Sequence, residues 1–564
     1  MRNAEARTCQ SCKNQFVIEL DDFGFYEVMK VPPPTWCPEC RMVRRLAWCG
    51  YRTLYKRKCD FTGEEVISVY HPSSPHKVYR QDVWWSDKWD PKSFGRDYDF
   101  SRSFFEQYRD LFREVPLPAL HTEYATLVNS EYCNAAAELK NCYLCFKADY
   151  SENSAYTNTM THLRDCVDVS FTNKSELCYE GLTLNDCYRV FYSEDCDHSH
   201  DIYFSKDLMG CSYCIGCVNL RNKSYYLFNQ PSTKEEFEKT IRDLDLGSRK
   251  SVGSLRKRVG NDFLKYPRKA FHGWKNTDVS GDYIFKSKNV HDSYMMGNAE
   301  NVRYSQLLKA GPSANSYDHT MFGLRSEWIY ECPWVGLDVR MLKFSIWNYG
   351  AHDLEYCFGC HGSGNMFGCV GVRNSEYCVF NKQYSKEEYR DLVSRIREQM
   401  TKVLYRDSLG REYRYGEWLP GEFSPWPYNE TMGDEFARKS KEEAIRAGFL
   451  WRDLDRRDYQ GATIDVPDHV KDVTDDILKG ILKCSECGKN YQVIKMELDF
   501  YRRMSIPIPI RCPFCRDRAR IRRLNPIAIY DRKCAKCGKE IKTSYVPDWP
   551  ETVYCESCYN SEVA

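Results

Sequence analysis

Cys484-Ser485-Glu486-Cys487 begins a series of four Cys-x-x-Cys motifs at the C-terminal end of the sequence. The other three are Cys512-x-x-Cys515, Cys534-x-x-Cys537 and Cys555-x-x-Cys558. One such motif supplies two thiolates to a tetrahedral zinc ion, and a second motif completes the site. Four thiolates leave no open coordination position, so zinc bound in this way stabilises a fold and is not a Lewis acid. The sequence therefore predicts two structural zinc sites, one with ligands Cys484, Cys487, Cys512 and Cys515 and one with ligands Cys534, Cys537, Cys555 and Cys558.

The N-terminal end carries a partly altered copy of this series. Cys9-x-x-Cys12, Cys37-x-x-Cys40 and Cys59 have the spacing of their C-terminal counterparts, at a constant offset of 475 (for example, 484 − 9 = 475). The remaining ligand positions hold Thr62, Arg80 and Val83. The N-terminal copy is therefore predicted to keep one zinc, bound by Cys9, Cys12, Cys37 and Cys40, and to have lost the other, with Cys59 as its remnant. About three structural zinc ions per chain are expected.

The identity of the metal and the local fold follow from the same motifs. Iron–sulfur clusters also use four cysteines, but regular cysteine pairs joined by hairpin-length spacers favour zinc. In Cys37-Pro38-Glu39-Cys40 the proline stands where a helix begins, and basic residues follow. This pattern predicts a helix that carries the last two ligands, as in treble-clef and zinc-ribbon modules.

Between the two cysteine series the sequence becomes a short-period repeat. Leu163-Arg-Asp-Cys166 returns as Leu184-Asn-Asp-Cys187 at an offset of 21 (184 − 163 = 21), and runs such as Val167-Asp-Val169 alternate as strands do. Coils of about twenty residues with polar turns predict a parallel β-solenoid. Its cysteines are expected to stack as small buried side chains, and its tyrosines and asparagines to form ladders.

A second repetitive block begins near residue 277 and ends as the first does. Cys369-Val-Gly-Val-Arg-Asn374 repeats Cys217-Val-Asn-Leu-Arg-Asn222 at an offset of 152 (369 − 217 = 152). Each block precedes a predicted helix with a capping box, Ser232-x-x-Glu235 after the first and Ser385-x-x-Glu388 after the second. The middle of the chain is thus also duplicated.

These patterns predict a fold that is mainly β with α: two parallel β-solenoid-like blocks flanked by treble-clef or zinc-ribbon modules. The predicted boundaries are 1–90 for the N-terminal zinc module with one degenerate half, 91–126 for a linker helix, 127–230 for the first solenoid, 231–276 for a helix and a basic linker, 277–382 for the second solenoid, 383–408 for a helix, 409–480 for a connector and 481–564 for the C-terminal double module.

Arginines follow the second motif of each cysteine series. On a zinc module they can neutralise phosphates, and guanidinium groups stack on exposed bases. The sequence therefore suggests nucleic-acid binding, to RNA or single strands, through Arg41, Arg44, Arg45, Arg516, Arg518, Arg520, Arg522 and Arg523. The alternatives are a solvated basic face and a face that pairs with acidic residues of the neighbouring solenoid.

Composition limits the remaining possibilities. The net charge of the 564 residues is +1, so attraction to nucleic acid or membrane has to be local. The sequence starts without an apolar leader and contains no apolar run of membrane-spanning length. We therefore expect a cytoplasmic protein without membrane contact, in which the 29 cysteines are reduced and serve as metal ligands or buried thiols.

Other cysteine and histidine groups admit two interpretations. On a strand, Cys196, His198 and His200 would share one face and form a set of ligands. Solenoid packing explains the same alternation and is the favoured interpretation. Packing is also favoured over metal binding for Cys357-x-x-Cys360-His361 and for Cys211-x-x-Cys214-x-x-Cys217.

Three functional hypotheses are consistent with these features. The first is a non-enzymatic zinc protein that binds nucleic acid, and the second is a protein–protein scaffold. The third and least favoured is an enzyme with its site in the solenoid groove, since no GxGxxG, P-loop, GxSxG or HExxH motif occurs and no small-molecule cofactor is evident.

The CPxCR knuckles, the Tyr/Cys-rich repeats, the run Phe380-Asn-Lys-Gln-Tyr-Ser-Lys-Glu-Glu-Tyr389 and the double C-terminal ribbon resemble those of one protein family. It is a large uncharacterised bacterial zinc-ribbon and solenoid-repeat family, seen mainly in genomes of uncultivated bacteria. The resemblance covers nearly the whole chain and implies no established activity. Some members carry a CaiB/BaiF CoA-transferase label, which we do not transfer because this sequence has no nucleotide-binding βαβ pattern.

Overall fold

The structure is a computed structural model that describes residues 3–453 and 459–563. These residues form two compact units. Unit 1 holds residues 3–120, 271–453 and 527–529, and unit 2 holds residues 121–270, 459–526 and 530–563. The N-terminal cysteine series and the second repetitive block therefore form one unit, while the first block and the C-terminal series form the other. Residues 454–458 of the predicted connector lie outside the described residues.

Each repetitive block is a parallel β-solenoid, as predicted. In unit 2, Asn158 is paired with Phe146 on one side and with Ser170 on the other, in parallel register. Each coil therefore advances the numbering by 12 (158 − 146 = 12), and the predicted coil length of about twenty was wrong. The buried positions recur every three residues, so similar residues also recur at any multiple of three. The repeat at an offset of 21 is one such multiple and does not correspond to the length of a coil.

The coils are short because the backbone turns at every third residue. From Ala135 to Phe228 each third residue has a positive φ, close to the left-handed helical region. A coil thus has four sides of three residues and one inward side chain per side. The inward positions are filled by small or aliphatic side chains, among them Cys142, Cys145 and Ala148. The predicted burial of the cysteines is confirmed.

Inward cysteines and serines also satisfy backbone groups. The Cys166 thiol donates to the carbonyl of Arg164 (3.3 Å) and accepts the N–H of Cys178 in the next coil (3.5 Å). Ser154 makes the same two contacts with Glu152 (3.0 Å) and with the N–H of Cys166 (3.2 Å). Because buried backbone groups need partners, small side chains with one donor and one acceptor suit these positions.

Polar ladders line the coils, as expected. Asn129, Asn141 and Asn153 form a chain of side-chain amide bonds of 3.0 and 3.1 Å along unit 2. Tyr213 and Tyr225 stack with ring centroids 4.7 Å apart. These ladders tie each coil to the next, since their members stand at the same offset as the paired strands.

The solenoid strands of unit 2 lie in two parallel sheets, with consecutive strands paired as far as Tyr188–Phe191 and alternate strands paired beyond it, and an antiparallel strand ends the series. They are Leu127–Val128, Asn134–Lys140, Phe146–Glu152, Asn158–Arg164, Ser170–Glu176, Tyr188–Phe191, Glu194–Asp197, His200–Tyr203, Lys206–Met209, Ser212–Ile215, Val218–Arg221, Ser224–Leu227 and Gln230–Pro231.

The solenoid of unit 1 has the same design, with some coils longer by one or two residues. Its strands are Gly273–Trp274, Thr277–Phe285, Lys288–Gly297, Ala299–Arg303, Ser313–Phe322, Ser326–Val335, Val339–Lys343, His352–Glu355, Gly364–Phe367, Glu376–Val379 and the antiparallel Lys382–Gln383.

The cysteine series form hairpins followed by helices. The hairpins are Glu5–Thr8 with Gln15–Ile18, Tyr55–Lys58 with Glu65–Ser68, Leu482–Lys483 with Asn490–Tyr491 and Tyr530–Lys533 with Glu540–Thr543. Further pairs are Val78–Tyr79 with Leu117–Pro118, Arg268–Lys269 with Val553–Tyr554 and Tyr405–Arg406 with Glu412–Tyr413.

The α-helices complete both units. Those of unit 1 are Leu20–Met29, Pro38–Leu46, Gln81–Trp84, Phe104–Glu114, Lys386–Lys402, Met432–Phe436 and Lys441–Arg446. Those of unit 2 are Lys234–Asp243, Arg249–Phe263, Lys495–Met504, Pro513–Ile521 and Glu556–Val563. Among the described residues, no helix has both the length and the apolar character needed to cross a bilayer.

The predicted capping box after the second solenoid is confirmed, whereas the predictions after the first solenoid need correction. Ser385 and Glu388 form the predicted capping box, whereas in unit 2 the box is Thr233 with Glu236, one residue later than predicted. The predicted basic linker is mostly the helix Arg249–Phe263, because Val252, Leu255 and Val259 give it a buried face. Charge and glycine content obscured that spacing.

Candidate metal centres and the arginine joints

Four sulfurs converge at the start of the N-terminal module. Cys9 and Cys12 lie in the turn after the first strand, Cys37 caps the helix Pro38–Leu46, and Cys40 lies in its first turn. The four Sγ atoms all lie within 4.8 Å of one another, and those of Cys12 and Cys37 are 3.7 Å apart. Zn–S bonds of about 2.3 Å in a tetrahedron place the sulfurs about 3.8 Å apart. The Cys9 centre therefore has the size of a single-ion site.

The C-terminal module contains two more such groups. In the Cys484 centre the Sγ atoms of Cys487 and Cys512 are 3.8 Å apart, and Cys512 caps the helix Pro513–Ile521. In the Cys534 centre the Sγ atoms of Cys537 and Cys555 are also 3.8 Å apart. All three predicted cysteine sets are thus brought together, in groups that can hold a metal ion.

Backbone N–H groups favour the thiolate form at these centres. The N–H of Cys512 donates to Sγ of Cys484 (3.2 Å), and that of Cys555 donates to Sγ of Cys534 (3.2 Å). Burial raises the pKa of both acceptor thiols, but backbone N–H donors outweigh it and lower each pKa to about 6. The donors include Cys487 and Cys512 for the Cys484 thiol, and Cys555 and Cys537 for the Cys534 thiol. Thiolate is the form that binds metal, so Cys484 and Cys534 are suited to bind a cation.

The predicted lost site retains its backbone geometry. The N–H of Arg80 donates to Sγ of Cys59 (3.2 Å), as the N–H of Cys555 does in the intact copy. The guanidinium of Arg80 pairs with Asp82 and Glu64. Among the described residues, the only groups of this kind are the Cys9, Cys484 and Cys534 centres, so the region around Cys59 keeps the hairpin without a ligand set.

Aromatic packing holds the helix Gln81–Trp84 of this altered half. Trp84 is buried and packs against Trp347 of the unit 1 solenoid, with ring centroids 5.4 Å apart. The guanidinium of Arg373 lies 5.1 Å from the Trp84 ring. In unit 2 the equivalent residue is Tyr559 (84 + 475), which accepts a hydrogen bond from Arg221 (3.4 Å). Tryptophan contacts stabilise unit 1 at the place where unit 2 has the Cys534 centre.

A buried ion-pair joint connects the Cys484 centre with the solenoid of unit 2. Arg516 and Arg520, on the helix that begins at Cys512, both bind Asp168, at N–O distances of 2.9 Å. Arg520 also donates to Ser170 Oγ (3.1 Å) and to the carbonyl of Tyr156 (3.1 Å). Arg520 is 1% exposed and Asp168 is 0% exposed.

Unit 1 contains the same joint, atom for atom. Arg41 binds Asp318 at 2.9 Å and Arg45 binds it at 2.6 Å. Arg45 donates to Thr320 Oγ1 (3.0 Å) and to the carbonyl of Tyr304 (3.0 Å). These arginines match Arg516 and Arg520 at the offset of the cysteine series (516 − 41 = 475), so the duplicated metal modules dock on duplicated sites.

The helix before each joint extends the match. Tyr156 OH donates to Glu497 (2.8 Å), and Tyr304 OH donates to Asp22 (3.1 Å). Burial raises the pKa of Tyr304, with the carboxylate of Asp22 adding to the effect. Each tyrosine therefore bonds as a neutral phenol to a carboxylate of the metal module.

The joints correct the nucleic-acid prediction for five of the eight arginines. Arg44 is buried as well and pairs with Glu331 and Glu417. A phosphate cannot reach a side chain enclosed in this way, so Arg41, Arg44, Arg45, Arg516 and Arg520 are not nucleic-acid contacts. The alternative given by the sequence, pairing with acidic residues of a solenoid, holds for these five.

The remaining three arginines lie nearer the surface. Arg518 and Arg522 are exposed. Arg523 is about one-third exposed and lies 3.6 Å from Glu194. The sequence missed the partners Asp168 and Asp318, because a single aspartate within a repeat has no local sign of charge pairing. An alignment of the two solenoids at an offset of 150 (318 − 168 = 150), with Asp168-x-Ser170 over Asp318-x-Thr320, would have identified both.

The other cysteine and histidine groups belong to the solenoid. Cys196 is buried inside a coil, whereas His198 and His200 are exposed and lie beside aspartates. The face they were predicted to share does not exist, because the side-chain period is three and not two. Cys214 and Cys357 likewise point inward and donate to the carbonyls of Ser212 and Glu355.

Comparison with known proteins gives no family. No family model and no curated protein matches this chain. Among solved structures, a protein from Desulfovibrio desulfuricans G20 assigned as an acetyltransferase is similar over 53% of this chain and 75% of its own, with 10% identity and a TM-score of 0.11. No argument about fold or activity rests on a likeness this low.

Proposed function

We propose that the protein is a non-catalytic binding scaffold in which structural zinc ions hold metal modules against β-solenoids. The observation that carries this proposal is the repeated joint: the helix that completes a four-cysteine centre also carries the two arginines bound to a solenoid aspartate. A closed set of four thiolates leaves no position for a substrate, so the metal serves the architecture.

Zinc is the proposed metal. The sulfurs of each centre lie within 4.8 Å of one another, which suits one ion, whereas an iron–sulfur cluster spreads its cysteine ligands around several metal atoms. None of the 29 cysteines, all of which lie in the described residues, forms a disulfide, which fits a reducing compartment, and we propose the cytoplasm.

Elemental analysis tests this proposal. Inductively coupled plasma mass spectrometry of the purified chain should find about three zinc ions, because each closed site takes one. Circular dichroism after chelation should show loss of the module helices before loss of the solenoid strands. A value near one zinc ion, or iron in its place, would overturn the assignment.

Nucleic-acid binding is a second candidate function. The observation in its favour is that Arg518 and Arg522 remain exposed on the helix next to the Cys484 centre. This function would add a surface to the scaffold and would not involve the buried joints.

One acidic cluster of the unit 2 solenoid is engaged in ion pairs. Lys206 lies 2.7 Å from Glu194 and 3.8 Å from Asp195. Burial raises the pKa of Glu194, but Lys206 and Arg523 outweigh it and lower the pKa to about 2. A carboxylate held ionised in this way is a poor general acid, which supports the non-catalytic proposal.

A further inference from the structure

One helix of unit 2 is unlike anything in unit 1. After the helix Lys234–Asp243 that follows its solenoid, here called the capping helix, unit 2 continues with the helix Arg249–Phe263. In unit 1 the capping helix Lys386–Lys402 is followed by the short strand Tyr405–Arg406. The helix Arg249–Phe263 is therefore an addition to the duplicated architecture. It contains one acidic residue, Asp262, and five cations, namely Arg249, Lys250, Arg256, Lys257 and Arg258.

Some of these cations anchor the helix. Arg256 binds Glu180 at 2.7 Å, and its guanidinium lies 4.5 Å from the Tyr192 ring. Arg249 donates to backbone carbonyls that include that of Pro467 (3.3 Å). Together with the buried Val252, Leu255 and Val259, these contacts fix which face of the helix points outward.

The outward face carries Lys250 and Lys257. The two lysines are two helical turns apart, which is about 10 Å along the axis. Ser254 and Asn261 lie on the same side, and all four are exposed. The cations here are thus a surface feature, in contrast to the buried arginines of the joints.

This face departs from what helix stability favours. Gly253 and Gly260 flank it, and a Cβ added at either position would meet nothing within 4 Å, so packing does not require a glycine. An exposed glycine within a helix is unfavourable relative to alanine. Lys250 also stands in the first turn, where the helix dipole favours anions, and the carboxylate that accepts its N–H there belongs to Asp468 of another segment (3.1 Å). Departures from local stability that cluster on one exposed face are typical of a functional surface.

We propose that this face, centred on Lys250 and Lys257, binds the phosphate backbone of a nucleic acid. The lysines neutralise successive phosphates, and the two glycines allow a phosphate to approach the helix closely. The helix N-terminus is already bonded to the carboxylate of Asp468, so the attraction comes from the lysines. This inference rests on the proposed scaffold function and names its partner.

The test is fluorescence anisotropy with short labelled oligonucleotides, single-stranded and duplex, at several salt concentrations. Lys250→Gln/Lys257→Gln should weaken binding to the single strand by about tenfold or more at low salt and reduce the salt slope by about 1.4, since each phosphate contact contributes about 0.7. Lys174→Gln/Lys223→Gln, which removes two exposed lysines elsewhere in unit 2, is the matched control and should change little.

Glycine variants separate close approach from charge. Gly253→Leu/Gly260→Leu keeps every charge and has open space for the new side chains, so the helix should remain folded with an unchanged or higher melting temperature. Binding should nevertheless weaken several-fold. Unchanged binding by this variant would contradict the role given to the glycines.

Three results would overturn the proposal as a whole. They are absence of binding at low salt, equal loss in the matched control, and equally tight, lysine-dependent binding of a poly-glutamate peptide, which would indicate an acidic protein partner. Zinc content is measured on the same samples. A chain with three zinc ions and no affinity for oligonucleotides would refute this inference and leave the scaffold function standing.

Discussion

Arg520 occupies in unit 2 the position that Arg45 occupies in unit 1. Each donates Nη2 to a tyrosine carbonyl, at 3.1 and 3.0 Å, and Nη1 to a buried aspartate, at 2.9 and 2.6 Å. The two arginines are related by an offset of 475 (520 − 45 = 475), but the two aspartates by an offset of only 150 (318 − 168 = 150). The two metal modules lie at opposite ends of the chain, whereas the two solenoids follow one another in it. Both modules nevertheless dock on their solenoids with the same geometry. Because both units contain this joint, we expect it to contribute to the stability of each.

Asp168→Asn should strongly destabilise unit 2. The amide keeps the shape of the carboxylate but removes the anion nearest to both arginines, leaving Arg516 with Glu497 at 3.6 Å and Arg520 with Asp517 at 3.4 Å. Breaking a buried ion pair from one side costs about 3–5 kcal/mol. Urea unfolding followed by hydrogen exchange of the peptides around Asp168 would measure the loss. Asp353→Asn, at an exposed aspartate of unit 1, is the control. A loss below about 1 kcal/mol would contradict the importance of the joint.

Restoring the lost ligands should create a fourth zinc site. Thr62→Cys/Arg80→Cys/Val83→Cys places thiols beside Cys59, whose contact with the N–H of residue 80 already matches the intact centre. Elemental analysis should find four zinc ions per chain in place of three. The variant Thr62→Ser/Arg80→Ala/Val83→Ala should stay at three. A folded triple-cysteine variant that also remains at three would show that the Trp84 packing no longer permits the tetrahedral geometry.

The Cys534 centre should release its metal first. Cys537 is exposed, and Cys555 and Cys558 are half-buried, whereas Cys512 and Cys515 of the Cys484 centre are buried. A colorimetric chelator should therefore remove one zinc faster than the other two. Cys537→Ser should abolish this fast phase and unfold only the hairpin and helix around it, as judged by hydrogen exchange. Simultaneous release of all three ions would contradict the difference in exposure.

Unit 1 should lose stability in mild acid sooner than unit 2. Burial lowers the pKa of His319 to about 3 and that of His76 to about 4. These side chains stay neutral in the folded unit but take up protons near pH 6.5 once unfolded, so stability falls as the pH drops from about 6.5 towards 4. At pH 5 the loss is about 2 kcal/mol for each buried histidine. Hydrogen exchange at pH 7 and pH 5 would compare the units, and His319→Gln should reduce the effect in unit 1.

A solenoid cysteine should be replaceable by serine. Cys166 makes the two backbone contacts that Ser154 makes one coil earlier, so Cys166→Ser should cost about 1 kcal/mol and leave the zinc content at three. Cys166→Leu should cost more, because the inward space is filled. Loss of a metal ion in the serine variant would show that the solenoid thiols bind metal after all.

The sequence predicted the grouping of the cysteines in the terminal modules better than the geometry of the two solenoids. Spacing alone identified the twelve cysteines that converge in three groups able to hold a metal ion, because Cys-x-x-Cys motifs at matched intervals have few alternatives. The true coil length was not recognised, since its inward period of three produces repeats at many multiples, including the step from Leu163 to Leu184. The acidic partners of the arginines could not be predicted from the sequence either. Pairing between Arg516 and Asp168 spans 348 residues and depends on how a module docks.

The joint between Arg41 and Asp318 spans 277 residues, with the whole first solenoid between them in the chain. During translation at about 5–20 residues per second, the N-terminal module waits roughly 14–55 s before its partner has been synthesised. The first solenoid waits similarly for the module that contains Arg516. Throughout this interval, Asp168 and the arginines of the first module have no docking partner. When synthesis has reached only the second solenoid, neither unit is complete, so we expect the order of the domains to make the nascent chain depend on chaperones.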